Sequence, residues 1–203
     1  GRCPAFGGSR SSGYEWQFQV STNIDLTPPR ITSVVPMTDA RYAPNIVVQL
    51  NFNEALNPVS AAGVVRGGTG FNNIEVASRP ATSTPGALPT YPNGEYKISN
   101  GYTTVEFITD RACGINSCGR QMFCLPFDSA ISVTAKAARL ASPGTGNPQA
   151  AVAGGLFDGI VDAASNSLDG NDNGTAEGPG VGPSFDNRRM NFRTTNEPDR
   201  RAP

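Results

Sequence analysis

Residues 46–52 read Ile-Val-Val-Gln-Leu-Asn-Phe, which puts Ile46, Val48, Leu50 and Phe52 on one side and Val47, Gln49 and Asn51 on the other. Successive side chains of a pleated strand point to opposite faces, so this alternation describes a strand with one face buried. Similar short runs lie at 30–35, 71–76, 103–109, 121–125, 131–137 and 190–194, and no long stretch carries a helical period. Turn chemistry separates them. Asn100-Gly101 stands between Tyr96–Ile98 and 103–109, the strongest short signal for a hairpin, since both central residues of the favoured turn need positive φ. A Pro/Thr/Ser-rich loop follows at 77–93, and 141–159 and 169–187 are rich in Gly, Pro, Asp and Asn. With 23 Gly and 17 Pro in 203 residues, the chain is expected to be all-β, an antiparallel Greek-key sandwich with long Gly/Pro-rich loops. Ile46, Val48, Leu50, Phe52, Val105, Phe107, Val133 and Phe192 are the expected core.

The first twenty residues stand apart. Residues 14–20 alternate with Trp16, Phe18 and Val20 on one face, and Pro28-Pro29 then makes a stiff connector that cannot donate to a ladder. Gly1–Asn23 also resembles Gly170–Asn196: each has a Gly-rich loop, an aromatic-x-Phe or Met-x-Phe strand and an acidic, Pro-containing exit. Residues 1–24 are therefore read as the closing strand and linker of a preceding or neighbouring unit, and 25–203 as the sandwich itself. Beginning at Gly-Arg-Cys, the chain reads as a piece of something longer.

Composition excludes several functions. There is no histidine, which removes Ser–His and Cys–His catalysis and histidine-ligated metals. A net charge of −1 gives no electrostatic footprint for nucleic acid or an anionic membrane, and there is no apolar run long enough for a membrane span. Cys3, Cys113, Cys118 and Cys124 have a poor zinc spacing and read as disulfide candidates, hence an oxidising, extracellular setting. Cys113–Cys124 is the slightly favoured pair; the remaining clustered cysteine stays free or reaches Cys3, in this chain or in a neighbour.

Asp169, Asn171, Asn173, Thr175 and Glu177 have the spacing of the first part of an EF-hand loop, with Gly174 at the sharp turn. The spacing points to calcium, although Gly180 stands where the bidentate Glu belongs and Asp186 substitutes only if the loop folds back. The same run also reads as a solvated Asp/Asn/Gly turn. Glu54 and Asp110 follow strands; they suggest solvated strand ends rather than a catalytic pair. Trp16, Tyr91, Tyr96 and Tyr102 are read as packing residues, with a glycan-stacking platform as the alternative.

The chain resembles a bacterial Ig-like domain family found in S-layer proteins and other large surface proteins. The resemblance is carried by Asp25-Leu-Thr-Pro-Pro-Arg-Ile31 with Pro36, by Val48-Gln-Leu-Asn-Phe-Asn-Glu54-Ala-Leu-Asn-Pro58, by Val161-Asp-Ala-Ala-Ser-Asn-Ser-Leu168, and by the strand at 190–194. The cysteine-bearing segment 112–126 and the Gly-rich loops depart from it. The resemblance implies a non-catalytic structural module at the cell surface, joined head-to-tail to identical or homologous Ig-like units. The alternative is an adhesin domain that binds a cell-envelope glycan.

Overall fold

A computed structural model describes residues 23–61, 73–84, 86–152 and 156–201. Trp16, Phe18, Val20 and Cys3 lie outside the described residues. The described chain is nearly all β, with ten strands: β1 (Ile31–Val35), β2 (Arg41–Tyr42), β3 (Val48–Phe52), β4 (Ile74–Pro80), β5 (Gly94–Ser99), β6 (Thr104–Thr109), β7 (Ala112–Ile115), β8 (Gln121–Phe123), β9 (Ser129–Ala135) and β10 (Arg188–Thr194). One helical turn, α1 (Pro58–Ala61), follows β3. The Asn57 side chain accepts from the Val59 amide at 3.0 Å and so caps that turn.

Two four-stranded sheets form, in the orders β1-β3-β6-β5 and β2-β10-β9-β4, with β7-β8 as a separate ribbon. Their inward residues meet in one core: Val48, Leu50 and Phe52 of β3 and Val105 and Phe107 of β6 come from the first sheet. Ile74, Val76, Ile131, Val133, Met190 and Phe192 come from the second. Ile46 is only half-buried at the rim. Its amide closes a turn onto the Ala43 carbonyl, so it precedes the ladder rather than joining it.

Two expectations are corrected. The assembly is mixed rather than wholly antiparallel, because β2 runs parallel to β10, with Arg41 opposite Arg193 and Tyr42 opposite Thr194. Pro36, with no amide to donate, follows the last residue of β1. The chain then turns through Asp39, whose amide bonds to the Asn191 carbonyl, and lands on the other sheet. Next, residues 71 and 72 of the expected 71–76 strand lie outside the described residues, and β4 runs on past 76 to Pro80, into the supposed loop. Inward-facing Ser78 hid this, since a polar side chain breaks the apolar alternation; it is satisfied by the Thr90 hydroxyl at 2.8 Å. The 112–126 excursion forms the β7-β8 ribbon, and the favoured Cys113–Cys124 pair ties it as a disulfide, with Cα atoms 5.7 Å apart.

The chain comes in at one end of the sheets and leaves at the other. At the incoming end Pro28 and Pro29 are buried, the Asp169 amide bonds to the Pro29 carbonyl, and the Asn53 side chain accepts from the Arg30 amide. At the outgoing end the Thr195 amide bonds to Tyr42, and Asn45 exchanges hydrogen bonds with Asp199 at 2.8 and 2.9 Å. Between them β10 spans seven residues, about 23 Å of extended chain.

Candidate functional site

The incoming end carries most of the unusual polar chemistry. Three segments converge there: the connector 25–30, the exit from β3 at 53–57, and 160–177. The second and third are laced together by the Asn57 amide on the Val161 carbonyl and the Ala163 amide on the Ala55 carbonyl. Asn166 is their hub and is fully buried. Its amide group donates to the carbonyls of Asp25 and Thr27 at 3.1 and 3.3 Å and to Asp162 Oδ2 at 2.8 Å. Its backbone amide reaches Asp162 Oδ1 at 2.7 Å, so the buried carboxylate is bonded on both oxygens.

This lacing brings Asp25, Glu54 and Asp162 together, with one carboxylate oxygen of each within 4.8 Å of the others. Two oxygens bound to one calcium stand at most about 5 Å apart, so the spacing suits a shared hard cation. It also sets like charges side by side. Burial, followed by the charges of Asp162 and Asp25, raises the pKa of Glu54; burial raises that of Asp162, opposed by the Asn166 hydrogen bonds and reinforced by Asp25. Sequence reasoning singled out Glu54 alone. Yet Asp25, Glu54 and Asp162 each sit inside one of the three motifs that carried the family resemblance.

Next to this trio lies the Asp/Asn/Gly loop. The Asp169 carboxylate accepts from the amides of Asn173 and Gly174 at 3.2 and 2.8 Å and pairs with Arg30 at 3.2 Å. Arg30 also pairs with Asp172. The Asn171 and Asn173 side-chain amides donate to the two oxygens of Glu177, at 3.0 and 2.6 Å. Asn173 Oδ1 accepts from the Thr175 amide at 2.9 Å, and Thr175 itself is exposed. The oxygens of this run thus serve its own turn and the Arg30 guanidinium. Among the described residues, the group of three acids within ligand reach is the Asp25 trio, not a set drawn from this loop.

The loop does fold back. Gly170 lies so close to the backbone of Asp186 that a Cβ would overlap its carbonyl oxygen. This approach seats Asp186, fully buried, where its Oδ2 accepts from the amides of Glu177 and Gly178 and its Oδ1 has no hydrogen-bond partner. Burial and the adjoining Glu177 carboxyl push Asp186 up to about 7, against the pull of the two amides.

The other sequence candidates are dispersed. Cys118 is an exposed free thiol beside the Cys113–Cys124 pair. Asp110 is exposed. Tyr96 packs on Phe107 with the rings tilted by 50° and its hydroxyl donates to the Ile74 carbonyl, whereas Tyr91 and Tyr102 are exposed. No helix among the described residues is long and apolar enough to cross a membrane.

No protein-family model matches the sequence, the Ig-like family included, and no curated protein matches it. Two solved structures align with it, the surface layer protein SbsC, domains 1–6, and the S-layer protein rSbsC(31-844). Each is 9% identical, with TM-scores of 0.37 and 0.34 over 83% and 84% of this chain. The chain spans 14% of the length of either, and a likeness this slight leaves its family open.

Proposed function

We propose that the chain is a non-catalytic structural module of an extracellular surface protein or filament, an Ig-like sandwich that associates head-to-tail with identical or homologous units through residues 1–24. The observation that carries this reading is the arrangement of the two ends. The connector is buried at Pro28 and Pro29 and hydrogen-bonded through Asn166 and Asp169, which fixes residues 25–30 against the incoming end of the sandwich. The chain leaves at the opposite end, which suits units placed in line.

The strand orders support the Ig-like part: β1-β3-β6-β5 and β10-β9-β4 match the four- and three-stranded sheets of an immunoglobulin domain, with β2 as an added edge. The Cys113–Cys124 disulfide supports an extracellular location, and the lack of histidine supports a non-catalytic role.

The test is deletion of residues 1–24, followed by sedimentation over a range of concentrations and by thermal unfolding. The truncated chain is expected to keep its cooperative transition and to lose the self-association of the full chain. A full chain that stays monomeric at high concentration, or a truncated one that is unfolded, overturns the proposal.

A further inference from the structure

The outer face of the β2-β10-β9-β4 sheet holds a groove of about 780 Å³. Its floor follows from the register. Ala77 of β4 stands opposite Ser132 of β9, which stands opposite Asn191 of β10; one step along, Ala130 has Arg79 on one side and Arg193 on the other. Arg193 is in turn opposite Arg41 at the sheet edge. Small side chains on β9 thus leave a trough along that strand, and long cationic ones rise beside it. With strands about 4.8 Å apart, Arg79 and Arg193 flank the trough at about 10 Å between their Cα atoms, and Arg189 lies about 13 Å further back along β10.

Arg41, Arg79, Arg189 and Arg193 are all exposed, and none of their guanidinium groups has an ion pair or hydrogen bond among the described residues. The acids that line the groove do not cancel them. Glu75 is already paired with Lys136 at 3.0 Å, which leaves Asp39 against four arginines. Tyr91, more than half exposed, and Pro89 close the β4 side.

We propose that this groove binds an acidic polysaccharide. A guanidinium presents a planar fork that matches a carboxylate or sulfate in two parallel hydrogen bonds, and four unpartnered forks around one trough fit a polymer with regularly spaced anions. The volume suits a few sugar rings. The Tyr91 ring offers an apolar face to a pyranose, and Ser132, Thr134 and Asn191 offer hydroxyl and amide partners.

Two other polymers fit less well. A polypeptide docking by strand addition needs a free sheet edge, but the floor here is the face of β9, paired with β4 and β10 along its length, and of the end of β10 that residues 39–42 already flank. A nucleic acid needs a broad basic surface and several stacking rings, whereas the chain has net charge −1 and the groove offers one exposed ring. The proposal stands apart from the head-to-tail reading, because none of these residues belongs to segment 1–24.

The full chain is titrated calorimetrically with polygalacturonate in low-salt buffer containing chelator, with dextran as the neutral comparison. Polygalacturonate is expected to bind and dextran not to bind. The Arg79→Gln/Arg193→Gln variant is expected to weaken binding at least tenfold, in line with the loss of charge-assisted hydrogen bonds, and Tyr91→Ala to weaken it several-fold. Arg120→Gln, on the β7-β8 turn, leaves it unchanged. The guanidinium groups of the substituted arginines make no hydrogen bond or ion pair among the described residues, so unchanged unfolding midpoints are expected throughout. Failure of polygalacturonate to bind, equal binding of dextran, or indifference to the double substitution overturns the proposal. So does tighter binding of polyglutamate or single-stranded DNA, which assigns the groove to a different polymer.

Discussion

Replacing Asn166 by alanine strips four side-chain hydrogen bonds from the incoming end: to Asp25 O, Thr27 O and Asp162 Oδ2, and from Gln149. The costs differ. Asp25 and Thr27 are exposed, so water takes over their carbonyls and each loss is about 0.5–1 kcal/mol. Asp162 is buried and keeps only backbone donors, and a hydrogen bond to a charged group there is worth about 1.5–3 kcal/mol. The sum, allowing for overlap between bonds that share one NH2, is about 2–4 kcal/mol. For a domain of this size that lowers the thermal midpoint by roughly 4–16 °C. Urea unfolding with an unchanged slope measures it, and amide exchange at Thr27 reports release of the connector. Asn166→Asp is expected to be worse than alanine at neutral pH, because it sets a second charge against Asp162, and to recover on acidification. A loss below about 0.5 kcal/mol for Asn166→Ala refutes the view that this residue pins the connector.

Asp186, held at about 7, keeps a proton in the native state that an unfolded Asp, near 3.9, gives up. That contribution to stability is complete below about pH 4 and gone above about pH 7, so wild type should gain urea resistance on acidification from pH 7.5 to 5 relative to Asp186→Asn; parallel profiles would contradict it. Alanine at Gly170 must displace the Asp186 backbone and should cost more than about 3 kcal/mol by urea unfolding, against about 1–2 kcal/mol at Gly86, which has open space around it and where only the positive φ is costly. The Cys113–Cys124 bridge joins residues 11 apart in sequence, for which loop closure gives about 3 kcal/mol; reduction should lower the midpoint accordingly, and native, unreduced protein should be alkylated at Cys118 but not at Cys113 or Cys124.

The sequence conveyed strands where one face was uninterruptedly apolar. Val48, Leu50 and Phe52 declare themselves because every inward position of β3 is a hydrophobe, and Met190 and Phe192 because two successive inward positions of β10 are, before buried Thr194. It concealed β4 beyond Val76, because buried Ser78 depends on Thr90, twelve residues on, to satisfy its hydroxyl. It concealed β2, since two residues are too few to alternate. The acidic trio was invisible for a different reason: Asp25, Glu54 and Asp162 are separated by long stretches of chain, and only the pairing of three loops makes them neighbours. The Asp/Asn/Gly run was legible as a tight turn. Its spacing alone does not say whether its oxygens face a cation or its own amides, because both uses draw on the same short polar side chains.

The parallel pairing of β2 with β10 has a mechanical meaning. If units are strung in line, tension reaches this domain through the connector that leads into β1 and β2, and leaves through the end of β10. β2 is then drawn toward the incoming end and β10 toward the outgoing end, so the two slide past one another along their length. Their hydrogen bonds lie across the pull and are loaded together. In a hairpin such as β5-β6, joined at Asn100-Gly101, a pull that parted the two free ends would open the bonds one after another. β10 is held on its other flank by β9 over six residue pairs, which are sheared by the same displacement. A two-residue strand with little thermodynamic weight thus sits where it can resist extension, and resistance of that kind is set by the height of the unfolding barrier rather than by equilibrium stability.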